Sequence, residues 1–129
     1  MSLRIVRNPT VANWIVDLHR VFAAWLTDHY KLQHNMTVYL HPTTQLVTSQ
    51  GLACGYFVSG RRPTIVLACR PPSKTFYTCL HDLLDTFAHE WCEYEKWRDH
   101  KPGNHRGLQQ RVDALIRQFY NYLRSQHES

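Results

Sequence analysis

The sequence lacks both a long hydrophobic run and an apolar leader. Its longest apolar run, residues 21–26, is far shorter than the roughly 20 residues that a membrane-spanning helix needs. Residues 1–4 have none of the apolar character of a secretory signal. We therefore expect a protein that does not associate with membranes and is cytoplasmic.

The chain is also poor in the motifs of several common enzyme classes. Its five glycines match neither a phosphate-binding loop nor a dinucleotide-binding fingerprint, and there is no Gly-x-Ser-x-Gly sequence. The four cysteines include no Cys-x-x-Cys pair. These absences exclude P-loop and Rossmann nucleotide binding, the nucleophile elbow of serine hydrolases, and a zinc ribbon.

In a reducing cytosol the cysteines are expected to be small core residues. Cys54 and Cys69 fall on strands predicted to be neighbours, so a disulfide between them is the alternative in a hyperthermophilic host. Cys92 lies three residues from His89 but has no evident orienting residue, which disfavours a catalytic cysteine.

What the sequence does contain is the composition of one globular domain, residues 1–129. Hydrophobic residues make up 43% and charged residues 19%. Apolar residues at helical spacing predict a first helix over about residues 9–30. The pattern then predicts strands at 36–40, 52–58 and 64–69, with a polar loop at 43–50 and a hairpin turn at 59–63.

Two further helices are predicted after residue 70. Ser73 suits the N-cap of a second helix that runs to about Arg98, and Asn104 suits the N-cap of a third helix after the break at 101–104. The apolar run at 65–68 indicates that the last strand is central. The order helix, three strands, helix, helix indicates an α+β domain with a small, mostly antiparallel sheet.

The second helix contains a segment suited to metal chemistry. His89 and Glu93 are four residues apart, so their side chains lie one turn apart on the same face and can hold one metal ion. His89-Glu90 is also how a zinc protease helix begins, where the histidine binds zinc and the glutamate polarises the attacking water. Glu93 stands where the second histidine of that motif belongs, but a carboxylate is an accepted zinc ligand. The alternative is an exposed, charged helix face.

A catalytic zinc site needs a third protein ligand. His105 is the first candidate because it follows a Pro-Gly turn and opens the third helix, and His100 is the second. Asp85, one helical turn before His89, could hold the second ring nitrogen of that histidine. The alternative is that Asp85 is simply an exposed polar residue.

The segments 80–90, 105–108 and 65–67 together resemble the SprT-like branch of the zincin-like metalloproteases. In that family a helix and three strands precede a His-Glu-x-x-His helix, and a third histidine follows. The resemblance implies a minimal zincin fold and a peptidase with one zinc ion, bound by His89, Glu93 and His105, with Glu90 as general base. The departure at Glu93 and the short chain, in which no specificity domain is evident, motivate an alternative, a catalytically inactive zincin-like fold that binds a partner.

A basic segment supports a third hypothesis. Net charge is +5, and residues 96–124 carry seven basic and two acidic side chains. Such a segment can attract nucleic acid or an acidic partner, and it can equally be a solvated helix face. A small nucleic-acid-binding protein is thus the remaining alternative, and it is compatible with a SprT-like protease because that family acts on DNA-associated proteins. The candidate contacts are Lys96, Arg98, Lys101, Arg106 and Arg111.

Overall fold

The computed structural model of the protein describes residues 1–72, 75–101 and 105–128, with the backbone alone at 105, 106 and 128. The helices are α1 (Asn13–His29), α2 (Phe76–Arg98) and α3 (His105–Glu128). The strands are β1 (Leu3–Arg7), β2 (Met36–His41), β3 (Leu46–Thr48), β4 (Gly51–Ala53), β5 (Gly55–Val58) and β6 (Thr64–Ala68). The α+β class is confirmed, and none of the helices in these ranges is both long and apolar enough to span a bilayer.

Four strands form one mixed sheet in the order β1-β2-β6-β5. β1, β2 and β6 run parallel, and only β5 is antiparallel to its neighbour. The prediction of a three-stranded, mostly antiparallel sheet is therefore wrong. The difference has two sources. The sequence pattern did not reveal β1, which α1 connects to β2 as a crossover, and a crossover places the two strands parallel. In addition, β2 pairs in parallel with β6 and not with β5.

The position of β6 in the centre of the sheet is confirmed, since β2 and β5 flank it. Its residues Ile65, Val66, Leu67 and Ala68 are all buried. β5 is the edge strand on this side, and no strand of the described ranges pairs with its outer edge. This edge is where an additional extended chain could join the sheet.

The segment predicted as a single strand over 52–58 is divided. Its first part belongs to β4, which pairs with β3 in a separate two-stranded hairpin, and its second part is β5. β3 lies within the segment predicted to be a loop, 43–50. Val47 and Leu52 are opposite each other in this hairpin and both are exposed, so the hairpin has no buried face at that position.

Two helix limits differ from the sequence prediction. α1 begins at Asn13 and not near Pro9, because residues 8–11 form a turn in which Asn8 accepts hydrogen bonds from the backbone of Thr10 and Val11, each at 3.0 Å. Thr75 caps α2 by accepting a hydrogen bond from the Thr78 backbone N–H. The predicted caps Ser73 and Asn104 lie outside the described residues.

The core joins the three helices to one face of the sheet. Phe22 of α1 meets Phe87 of α2 and Phe119 of α3 edge-on, with ring centroids 5.2 Å and 4.8 Å apart. Cys69 and Cys92 are buried as predicted, and Cys54 is exposed and forms no disulfide with Cys69. Trp14 and Val21, which the periodicity of α1 assigned to the core, are 39% and 46% exposed.

Candidate active-site cleft

A cleft of about 680 Å³ runs between α2 and the strands β3, β4 and β5. Three side chains of α2 line this cleft, those of His89, Glu90 and Glu93. The opposite wall is the whole of β5 together with the tip of the β3–β4 hairpin. The residues singled out from the sequence as candidate chemistry therefore lie in a concave surface beside a free strand edge.

His89 and Glu93 are close enough to share a ligand. The Nε2 atom of His89 lies 4.0 Å from an Oε1 oxygen of Glu93, and the two side chains are 36% and 30% exposed. Two donor atoms on one tetrahedral zinc ion at about 2.1 Å lie roughly 3.4 Å apart. The observed separation is longer, so the two atoms could bind one zinc ion only if the side chains moved closer together. They supply two of the three protein ligands that a catalytic zinc site needs.

Glu90 has a different environment from its neighbours. Its side chain is only 6% exposed although it lines the cleft. Burial, with a smaller contribution from the Glu93 carboxylate, raises the pKa of Glu90 to about 7. An exposed charged face, the alternative to a metal site, does not describe this residue, because a buried carboxyl group of this kind is unfavourable for folding and typical of functional sites.

Glu93 also has a second partner on α2. The Nζ atom of Lys96 lies 3.6 Å from its Oε2 oxygen, while the Oε1 oxygen faces His89. The carboxylate thus has one oxygen toward each neighbour. The oxygen facing His89 remains available as a ligand atom while the other is neutralised by the ammonium group.

The close approach of β5 to α2 depends on Gly55. A Cβ atom at this position would lie 3.0 Å from the Cγ2 of Thr86 and 3.1 Å from the Cδ2 of Leu67. Further along β5, Phe57 packs its ring against Tyr94 and Trp97 of α2, at centroid distances of 6.0 Å and 5.8 Å. These contacts hold the strand edge beside Glu90 and set the width of the cleft.

The other predicted ligands are not assembled with this pair. Among the side chains that the structure describes, no group of three His, Cys, Asp or Glu residues could hold a metal ion. His100 lies eleven residues after His89, about 16 Å along the helix axis, which is too far to share an ion with it. The side chain of His105 lies outside the described residues, and Asp85 makes no hydrogen bond to His89 among those described. The roles of His105 and Asp85 stay predictions.

Most of the predicted nucleic-acid contacts are engaged within the protein. Arg111 donates to both carboxylate oxygens of Glu95, at 3.2 Å and 3.0 Å. Arg98 donates to both oxygens of Asp99, at 2.8 Å and 2.9 Å. Lys96 pairs with Glu93 as described above. Lys101 is exposed beside a cavity between α2 and α3, and the side chain of Arg106 lies outside the described residues.

Two aromatic side chains near this segment, Tyr94 and Trp97, take part in internal packing. Tyr94 is fully buried, and its hydroxyl interacts with the His34 ring and the Gln33 backbone, both at 3.0 Å. Trp97 is half-buried between His34 and Phe57. Both side chains therefore serve the packing of α2 on β5.

Sequence reasoning missed the part of the opposite wall that the β3–β4 hairpin supplies. Val47 to Gln50 line that part. A local signal did exist for it, since Leu46-Val47-Thr48 has the β-branched residues typical of a strand. Nothing local indicated that this hairpin would lie opposite His89, because that placement depends on contacts between distant segments.

Comparisons with protein-family models, with curated proteins and with solved structures found no match to this chain.

Proposed function

We propose that this protein is a zinc-dependent peptidase of the minimal zincin type. The observation that carries the proposal is the placement of His89, Glu90 and Glu93 in a cleft whose other wall is an unpaired strand edge. A metal-binding pair, a buried carboxyl group and an edge that can receive an extended chain are the three parts that metal-assisted peptide hydrolysis requires.

His89 and Glu93 would hold the zinc ion, and His105, at the start of α3, is the proposed third ligand. When bound, zinc supplies a water of lowered pKa and polarises a carbonyl group. Lys96 pairs with the other oxygen of Glu93 and leaves the oxygen that faces His89 open. Glu90 is too deeply buried beside the pair to be a solvated surface residue, and its position next to His89 suits a proton acceptor.

Glu90 would move the proton in this reaction. Its carboxylate accepts a proton from the water that attacks the carbonyl carbon, and then donates that proton to the leaving amine. A general base is most effective when its pKa lies near the working pH, because both its forms are then populated. Burial raises the pKa of Glu90 to about 7 in the metal-free protein, and a bound zinc ion would lower it by its positive charge, which favours the carboxylate form that accepts the proton.

The free edge of β5 would hold the substrate. Backbone groups of Gly55–Val58 can pair with an extended peptide, which then passes directly in front of Glu90. No lysine or arginine is among the described residues that line the cleft, which carries the two carboxyl groups of Glu90 and Glu93. We therefore expect neutral or basic peptide segments to be cleaved in preference to acidic ones.

The test combines metal content with peptide hydrolysis. Untagged protein, purified without chelators, should contain close to one zinc per chain by elemental mass spectrometry. His89→Ala should lose this zinc, and Glu90→Gln should keep it while hydrolysing peptides at least about 100-fold more slowly, because it lacks the proton acceptor. His81→Ala, an exposed histidine on the same helix but outside the cleft, is the matched control. Wild type that takes up no zinc even from added zinc would contradict the proposal.

A catalytically inactive peptide-binding protein is the second candidate. The pairing of Glu93 with Lys96 favours it, because a carboxylate already neutralised by an ammonium group is a weaker zinc ligand than a histidine. This candidate predicts that peptides bind along β5 without being cleaved, even in zinc-loaded protein. Binding that survives Glu90→Gln unchanged, with no hydrolysis by wild type of any peptide in a mixed library, would favour it over the peptidase.

A further inference from the structure

Three arginines converge at the end of the sheet where the parallel strands begin. Arg4 lies in β1, and Arg61 and Arg62 lie in the turn that joins β5 to β6. All three are exposed and line one cavity of about 590 Å³. The strand register explains the convergence: Arg4 is aligned with Thr37 of β2, and Thr37 is aligned with Thr64, which directly follows the turn.

The rest of the described lining of this cavity includes Met1 and Met36 together with polar residues, and none of it carries a carboxyl side chain. Besides the arginines, its described lining includes the side chains of Gln33, His34, Asn35 and Thr37. Amide and hydroxyl groups can donate hydrogen bonds to an anion, and no acidic side chain competes for the guanidinium groups. This cavity shares no described lining residue with the cleft at His89.

These three arginines differ from the arginines of α2 and α3 in their hydrogen-bond and ion-pair partners. Arg98 and Arg111 are each bound to a carboxylate on both of its oxygens. In the described part of the chain, Arg4, Arg61 and Arg62 form no ion pair, and their guanidinium groups make no hydrogen bond. Within the described residues, the guanidinium groups at this end of the sheet therefore carry positive charge that no carboxylate compensates, unlike those of Arg98 and Arg111.

We propose that this cavity, here called the arginine basin, binds a ligand that carries several phosphate groups. A guanidinium group can donate two parallel hydrogen bonds to two oxygens of one phosphate group. Three guanidinium groups around one opening can therefore bind more than one phosphate group. The volume exceeds the need of a single inorganic anion and falls in the range of ligand sites. A nucleic-acid strand and a free polyphosphate both present this chemistry. The inference does not depend on the proposed peptidase function.

The test measures binding of two probes to the intact protein. One probe is a fluorescein-labelled single-stranded oligonucleotide of about 20 nucleotides, followed by fluorescence anisotropy over a salt series. The other is tripolyphosphate, followed by calorimetry. The variant is Arg61→Ala/Arg62→Ala, which changes two exposed turn residues. The control is Arg70→Ala/Arg117→Ala, which removes the same charge; Arg70 follows the opposite end of β6, and Arg117 is exposed on α3.

We expect Arg61→Ala/Arg62→Ala to weaken binding of a probe at least tenfold and the control to weaken it less than threefold. For a single strand, each phosphate contact contributes about 0.7 to the slope of the logarithm of the binding constant against the logarithm of the salt concentration. Loss of two contacts should therefore make that slope shallower by roughly 1.4. Loss of oligonucleotide binding alone identifies a nucleic-acid strand as the ligand, and loss of tripolyphosphate binding identifies a free polyphosphate. Equal weakening in both double variants, or no binding of either probe by wild type at low salt, would overturn the proposal. Circular dichroism of each variant verifies that it is folded.

Discussion

At the scale of single residues, burial separates groups that the sequence places side by side. Glu90 and Glu93 lie within one turn of α2, yet Glu90 is almost fully buried and Glu93 is 30% exposed. Burial raises the pKa of Glu90 to about 7, whereas Glu93 has His89 and Lys96 within 4.0 Å. Two identical side chains are thereby suited to different roles, proton transfer and ligation. The helix period alone assigns both to neighbouring positions and cannot distinguish them.

His19 is the second residue whose chemistry is set by burial. It lies in the core against the ring of Phe87, at a centroid distance of 5.6 Å, and its Nδ1 donates to the Ile15 carbonyl at 2.7 Å. Burial lowers the pKa of His19 to about 4 despite that hydrogen bond. This burial follows from the position of His19 on the side of α1 that faces α2.

This pKa predicts that His19 contributes to acid sensitivity, a contribution that the raised pKa of Glu90 opposes over much of the same pH range. Between pH 6.5 and 4 the unfolded chain binds a proton at His19 that the folded protein excludes, so the contribution of His19 to the free energy of unfolding falls as the pH falls through this window. The loss attributable to His19 is up to about 3 kcal/mol. Urea unfolding at pH 7 and pH 4.5 measures it in wild type and in His19→Phe, in which the loss should be smaller. His81→Phe, at an exposed position, should behave as wild type; an unchanged pH dependence in His19→Phe would contradict this account.

At the scale of elements, the cleft depends on how closely β5 approaches α2. The strand is short, and its contact with the helix rests on Gly55 at one end and on Phe57 further along. The sequence predicted strand character over 52–58 without the division after Ala53. It did not predict that Gly55 is required by a contact with Thr86, which lies 31 residues away along the chain.

Enlarging Gly55 should move the strand away from the helix. In Gly55→Ala the new methyl group meets the Cγ2 of Thr86 at 3.0 Å, so we expect a loss of about 1–2 kcal/mol in the free energy of unfolding, typical of overpacking. Thermal or chemical unfolding measures it. In Gly55→Ala/Thr86→Ser the clashing methyl is absent and the hydroxyl can still donate to the Asp82 carbonyl, so part of the loss should be recovered. A double variant no more stable than Gly55→Ala would show that the strain lies elsewhere.

At the scale of the whole molecule, basic side chains differ in whether a carboxylate lies within ion-pair distance. Net charge is +5, and the sequence locates this excess between residues 96 and 124. Within the described part of the chain, the structure pairs Arg98, Arg111 and Lys96 with carboxylates there and shows no ion pair for Arg4, Arg61 or Arg62 at the end of the sheet. A count of charges along the chain therefore does not show which basic side chains are already paired with carboxylates.

Arg111 should act on stability and not on anion binding. Its guanidinium joins α3 to Glu95 of α2 and lies 4.9 Å from the centre of the Tyr30 ring. Arg111→Ala should lower the free energy of unfolding by about 1–2 kcal/mol, because it removes a bidentate ion pair and a cation–π contact. Arg117→Ala, on the exposed side of the same helix, should change it by less than about 0.5 kcal/mol. Denaturant titration compares the two, and equal effects would contradict a structural role for Arg111.

The sequence by itself determined the features that depend on near neighbours. The helical period places His89 and Glu93 on one face of α2, and the apolar run of β6 indicates a central strand, because both patterns are set within a few residues. Only the tertiary structure decided that β1 joins the sheet and makes it mostly parallel, that Glu90 is buried while Glu93 is open, and that a free edge faces them. It also decided which arginines are paired. These outcomes depend on contacts between segments far apart in the chain, and no local pattern records such contacts.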